Sequence, residues 1–192
     1  ESCIGQAKSP IVRLGCTPAR PAALPRALEA IAHADMIVLG PGSLYTSLLP
    51  NLLVPELVEA IGRSQAPRLY ICNLMTQPGE TDGLDVSGHL RAIESQLASI
   101  GVQQRLFDAV LAQDALPAGP ELDYYRARGA EPVDCDLDGL KQQGFRVMLA
   151  SMQGPQQQSK GHAAKGTLKH DSRSLALAVM RFYRSKQKRQ LN

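Results

Sequence analysis

The sequence predicts an α/β fold with a mainly parallel sheet and helices on both faces. Three observations carry this. Apolar strand-like runs alternate with helix-period segments along the whole chain. The run MIVLG at 36–40 is apolar throughout, as in strands covered on both faces. The apolar positions Val86, Leu90, Ile93, Leu97 and Ile100 repeat at steps of four and three, the period of an amphipathic helix.

In chain order, IVRLGC (11–16) reads as a short strand. ALPRALEAIAHA follows with Leu24, Leu28 and Ile31 at helical spacing. After MIVLG, the run Gly40-Pro41-Gly42-Ser43 ends the strand, and a short helix precedes a second one from Pro55, a good first-turn proline, to Arg63. RLYICN (68–73) is the next strand, and LMTQPGETDGLD is a loop dense in turn residues. The helix over 86–100 closes at Gly101. FDAVLAQ (107–113) is a strand, ELDYYRARGA a helix, and FRVMLAS (145–151) the last clear strand. The polar stretch 152–168 reads as a mobile loop, and HDSRSLALAVMRFYR as a closing helix capped by Asp171 or Ser172. No repeat or interdomain linker is visible, so residues 1–192 form one domain.

At 192 residues, 44% hydrophobic and 20% charged, the chain is a soluble globular protein with room for a real core. Of its 21 Lys and Arg, five fall in 181–192 with no acidic residue, which leaves 16 basic against 18 acidic groups elsewhere. The basic character therefore belongs to a tail (184–192), read as solvated or frayed, and not to a nucleic-acid-binding stripe. The four cysteines, Cys3, Cys16, Cys72 and Cys135, form no CxxC pair, and the His spacing argues against a metal site. Scattered thiols suit a reducing cytoplasm. No apolar run reaches the length of a membrane span.

Two loops follow successive strands, where α/β sheets bind ligands at a switch in strand order. Gly40 and Gly42 allow close backbone approach, and Ser43 opens a helix whose free N–H groups attract phosphate. Thr46 and Ser47 add donors. The alternative is a capped tight turn that binds nothing. The second loop gathers Asn73, Thr76, Gln77, Glu80 and Thr81, groups able to read a sugar or a base edge. His33, Asp35 and His89 suit helix-end, turn and surface or core-edge roles, and Lys169-His170-Asp171 either touches phosphate or caps a helix. No nucleophilic triad can be argued from spacing, so no catalytic residue is assigned.

ADMIVLGPGSLYTSLLPNLLVPEL, followed by NLMTQPGETDGL and later LKHDSRSLA, resembles the gluconeogenesis factor family, called YvcK-like or CofD-like. The resemblance implies a cytoplasmic, Rossmann-like three-layer αβα protein. Its gluconeogenesis-factor branch implies UDP-sugar binding without turnover and an influence on carbon metabolism, cell-wall synthesis and cell shape. Its CofD branch implies a 2-phospho-L-lactate transferase that uses a nucleotide diphosphate donor in making a deazaflavin coenzyme, with Mg²⁺ as helper. NLMTQPGET resembles the first branch, for which no cofactor is required. By position, the resemblance carries phosphate contacts to Gly40, Gly42, Ser43, Thr46 and Ser47, sugar or base contacts to Asn73, Thr76, Gln77 and Glu80, and a further phosphate contact to Lys169. Family members begin with a glycine-rich nucleotide loop that this chain lacks, and ESCIG resembles the start of the family's second half. An N-terminal portion is therefore expected to be missing. Without it the chain should expose a strand edge and self-associate, with a homodimer as the simplest product. An orphan structural domain is the third reading.

Overall fold

The computed structural model describes residues 9–117, 120–153 and 168–190. Four strands form one sheet: β1 (Ile37–Leu39), β2 (Arg68–Ile71), β3 (Ala109–Gln113) and β4 (Arg146–Ala150). All three pairings are parallel, in the order β1-β2-β3-β4. The expected α/β architecture stands, and the helix ends explain where each strand begins.

Helix α1 (Pro25–Ala32) has proline in its first turn, where a missing N–H costs nothing. After β1 come a π-helical turn (Leu44–Leu48) and α2 (Leu49–Leu52). Helix α3 (Pro55–Arg63) starts on proline and carries a Glu59–Arg63 pair at 3.0 Å, one turn apart. Asp85 caps α4 (Val86–Ser99) by accepting the Gly88 N–H. Gly101, at φ +86°, ends it, and Val102 N–H returns to the Leu97 carbonyl. Helix α5 (Pro120–Arg126) and helix α6 (Leu137–Gln142) lie between β3 and β4. Asp171, not Ser172, caps α7 (Ser172–Gln190), accepting the Ser174 N–H at 2.7 Å.

Period-two alternation sorts the sheet residues between two cores. Tyr70, Cys72, Val110 and Ala112 face the π turn, α2, α4 and α6, with Leu44, Leu52, Leu90, Ile93 and Leu140. Leu69, Ile71, Ala109 and Leu111 face α5 and α7, through Leu122, Ala178 and Phe182. Among the described residues no helix is long and apolar enough to cross a membrane.

Four expectations change. The segment 11–16 is not a strand; Leu14 instead exchanges both backbone hydrogen bonds with the Gln96 side chain, each at 3.0 Å. A buried amide there does the work of a partner strand. Strand β1 is not covered on both faces, since Val38 is 38% exposed, and among the described strands it pairs with β2 alone. The strand order does not reverse among the described strands, so within them the two candidate loops are neighbours by adjacency. Helix α7 runs through Gln190, so the basic stretch is helical up to that residue and not frayed. Of the loop expected over 152–168, positions 154–167 lie outside the described residues, as does Cys3.

Candidate functional site

Gly40 has φ +93°, and a Cβ there would stand 2.5 Å from the Ile71 carbonyl oxygen of β2. Only glycine fits, because β1 ends pressed against its neighbour. Gly42 is different. Its φ is ordinary, and a Cβ would meet the Leu48 side chain at 3.2 Å. Beyond it, the N–H groups of Ser47 and Leu48 both donate to the Ser43 carbonyl, at 3.0 and 2.9 Å, and this widens the first turn into π geometry. Leu44 and Leu48 anchor that turn in the core. The amides between Ser43 and Ser47 have no intrahelical acceptor.

The second loop is fastened to the first by side chains. Asn73 accepts the Gly42 N–H through Oδ1 at 3.2 Å and donates Nδ2 to the Gly42 carbonyl at 2.9 Å. Gln77 donates Nε2 to Ser43 Oγ at 2.7 Å, and Thr46 donates Oγ1 to Glu80 Oε1 at 3.5 Å. Gln77 Oε1 is buried without a partner. Within its own loop, Gln77 N–H donates to Thr81 Oγ1 at 2.8 Å. Six of the expected residues, Gly42, Ser43, Thr46, Asn73, Gln77 and Glu80, therefore meet in one network.

The others sit apart from it. Ser47 is exposed, and its carbonyl accepts from Asn51 at 2.7 Å. Thr76 is 5% exposed and bonded to the Glu131 backbone both ways: Oγ1 accepts its N–H at 2.8 Å, and Thr76 N–H donates to its carbonyl at 2.7 Å. Thr76 pins the loop to the 130–133 segment. Lys169 is exposed at the carboxyl end of the sheet. Its neighbour His170 pairs with Gln153 and interacts with the Cys72 backbone, next to Asn73. Burial lowers the His170 pKa, the Cys72 backbone opposes this, and His170 Nε2 has no partner.

Beside the network opens a cleft of about 490 Å³. Tyr45, Pro78, Leu84 and Ile11 supply apolar walls, and Glu80 and Asp82 supply carboxylates. Spacing alone gave no reason to single out Tyr45, Pro78 or Asp82, which the turn geometry brings to the same wall. The Cys72 thiol, deeply buried, is pushed up to about 12, which makes it inert as a nucleophile at neutral pH. Among the described residues no three His, Cys, Asp or Glu side chains converge as metal ligands.

The arrangement provides donors at one end and acceptors at the other. Ser43 Oγ accepts from Gln77, so its own hydroxyl hydrogen is left to donate outward. With the free amides of the π turn, that suits an anion such as a diphosphate. The carboxylates suit sugar hydroxyls or base N–H groups, and the apolar walls suit a flat ring.

A family model described as 2-phospho-L-lactate transferase CofD matches residues 1–153. A gluconeogenesis-factor relative from Nostoc sp. is 45% identical over 183 residues, covering 95% of this chain and 38% of that protein. The gluconeogenesis factor of Halalkalibacterium halodurans is 46% identical over 144 residues, covering 75% of this chain and 43% of that one. A crystal structure of a Bacillus halodurans protein superposes with a TM-score of 0.81 at 38% identity, covering 93% of this chain and 53% of its own. The chain thus spans about two fifths of the length of these curated relatives.

Proposed function

The chain belongs to the CofD family, and from that premise we propose that it forms part of the ligand site of a gluconeogenesis-factor-like regulatory protein that binds a UDP-sugar without turning it over. One observation carries the reading. The Asn73–Gly42 and Gln77–Ser43 bonds hold two loops in register beside the cleft, with donors and acceptors already sorted. The diphosphate lies against the Ser43 hydroxyl and the amides of the π turn, with Lys169 adding charge from the neighbouring segment. The sugar or base donates to Glu80 and Asp82, and its ring lies on Tyr45 and Pro78. Such a protein senses nucleotide-sugar supply in the cytoplasm and adjusts carbon metabolism, cell-wall synthesis and cell shape accordingly.

The family model's own description favours a second reading, a 2-phospho-L-lactate transferase. The same loops would hold the diphosphate of the donor, and the cleft a deazaflavin. Mg²⁺ would be held there by the donor's diphosphate with one or both of Glu80 and Asp82. Calorimetric titration of the full-length protein with UDP-N-acetylglucosamine and with a deazaflavin, followed by a product assay, separates the two. Saturable UDP-sugar binding without product supports the regulator. Deazaflavin binding with phospholactyl transfer replaces it with the enzyme. Absence of both leaves a structural domain and refutes the site.

A further inference from the structure

The nucleotide reading concerns the carboxyl ends of the strands. A second polar cleft, of about 300 Å³, opens at their amino ends, with Ser64, Gln65, Ala66, Arg68, Asp108 and Lys186 among its walls. Arg68 opens β2, Asp108 immediately precedes β3, and Lys186 projects from α7. Asp108 is fully used by Arg68: Oδ1 accepts from Nη2 at 3.1 Å and Oδ2 from the backbone N–H at 2.9 Å. Lys186 Nζ stands 3.8 Å from Oδ2, too far for a hydrogen bond. Next to this trio, Arg146 pairs in register with Ala109 and gives Nη2 only to the neutral Ser185 hydroxyl, at 3.2 Å. Arg68 Nε and Arg146 Nη1 are buried without partners.

Two cations, Arg68 and Lys186, therefore share one carboxylate, with Arg146 on the neighbouring strand. Burial by itself would raise the Asp108 pKa, but the bonds from Arg68 and the charges of Arg68 and Lys186 hold it below the usual carboxylate range. Asp108 is ionised at neutral pH, and one positive charge remains in surplus in the cleft. Both cations are partly withdrawn from water, since the side chains of Arg68 and Lys186 are 18% and 28% exposed. One carboxylate serving two partly desolvated cations leaves their charge incompletely balanced, so the region attracts an anion. Gly62 and Ala66 complete its wall. The Ser64 hydroxyl accepts from the Ala66 N–H at 3.2 Å, which leaves its hydrogen to donate.

We propose that this cleft is a second binding site, for a small dianion of the phosphate-monoester or dicarboxylate class, held by Lys186 and Ser64. The occupant neutralises the surplus charge and fastens α7 to the ends of β2 and β3. It lies at the opposite end of the strands from the nucleotide loops, so it acts as an effector and not as a co-substrate.

The test is an NMR titration of the whole chain with inorganic phosphate and, separately, with succinate, at ionic strength held constant with chloride. Saturable shifts are expected at the amides of 64–68, 108 and 185–186, with those of 40–47 unmoved. Lys186→Gln weakens binding at least tenfold. Ala66→Asp, which sets a carboxylate in the cleft and leaves the Arg68–Asp108 pair intact, abolishes it. Arg184→Gln, exposed on the same helix, changes it less than twofold. A preference for phosphate assigns a phosphate ester, and a preference for succinate a dicarboxylate. Non-saturating shifts with both probes, equal losses in the Arg184 and Lys186 variants, or unaltered binding in Ala66→Asp would overturn the proposal. None of these outcomes depends on whether a UDP-sugar binds at the other end.

Discussion

Replacing Asn73 by Asp changes one side-chain atom and tests whether the site is built by its own internal bonds. The Asn73 amide both accepts from and donates to Gly42, at 3.2 and 2.9 Å. The carboxylate keeps the first bond and strengthens it, because an ionised acceptor is the better one. It loses the second and sets an oxygen against the Gly42 carbonyl. A half-buried carbonyl left without a donor costs about 1–3 kcal/mol, and the strengthened bond returns about 1 kcal/mol. The net loss is up to about 2 kcal/mol, centred near 1, or a melting temperature lower by roughly 2–4 °C at the centre of that range for a chain of this size. Loosening the Gly42–Ser43 turn also lowers UDP-sugar affinity. Acid restores part of the stability, because a protonated carboxyl can donate to the Gly42 carbonyl again. Urea unfolding at pH 7 and pH 4, with calorimetry at pH 7, reads all three effects. If binding is lost while stability is unchanged at both pH values, Asn73 serves the ligand alone and the proposed fastening of the two loops is wrong.

Gly40→Ala meets strained backbone and the Ile71 carbonyl, and should cost roughly 2–6 kcal/mol, against less than about 1 kcal/mol for Gly42→Ala, by urea unfolding; the reverse order would contradict the assigned roles. Gln96→Leu strips both bonds from the Leu14 backbone and should cost about 1–3 kcal/mol, with faster amide exchange at Leu14 and weaker ligand binding, because Ser9, Pro10 and Ile11 wall the cleft; unchanged exchange at Leu14 would refute the clasp. Burial lowers the His89 pKa, against a smaller opposing effect of Asp85, so the folded state resists protonation there. Stability is full above the unfolded histidine value of about 6.5 and falls as pH drops from there toward the lower folded value. The melting temperature should therefore decline from pH 7.5 to 5.5, and decline less in His89→Asn; equal slopes would exclude His89 as a source.

The local elements were legible in the residues. Pro55, the Asp85 cap, the four-and-three spacing of Val86 to Leu97 and the apolar cores of β2 and β3 are short-range signals, and each element formed where its signal stood. So was the adjacency of the two candidate loops, because neighbouring parallel strands ending in Gly-Pro-Gly-Ser and Asn-Leu-Met-Thr-Gln place those loops at one end of the sheet. Helix α6, six residues long, escaped because it is too short to show a period. What the sequence could not determine was which partner each polar atom would take. Thr76 and Asn73 lie three residues apart in one polar loop, yet Thr76 turns into the Glu131 backbone while Asn73 clasps Gly42. The same holds for IVRLGC, whose strand-like pattern joined no strand and settled on Gln96, 82 residues beyond Leu14. Arg68, Asp108 and Lys186 likewise come together only because parallel pairing aligns β2 with β3 and α7 crosses their amino ends. Propensity and period act over a few residues and are written in the chain. Hydrogen-bond partners and charge neighbours are chosen across the fold, where burial forces each polar group to find whatever donor, acceptor or counter-charge the packing has brought within reach.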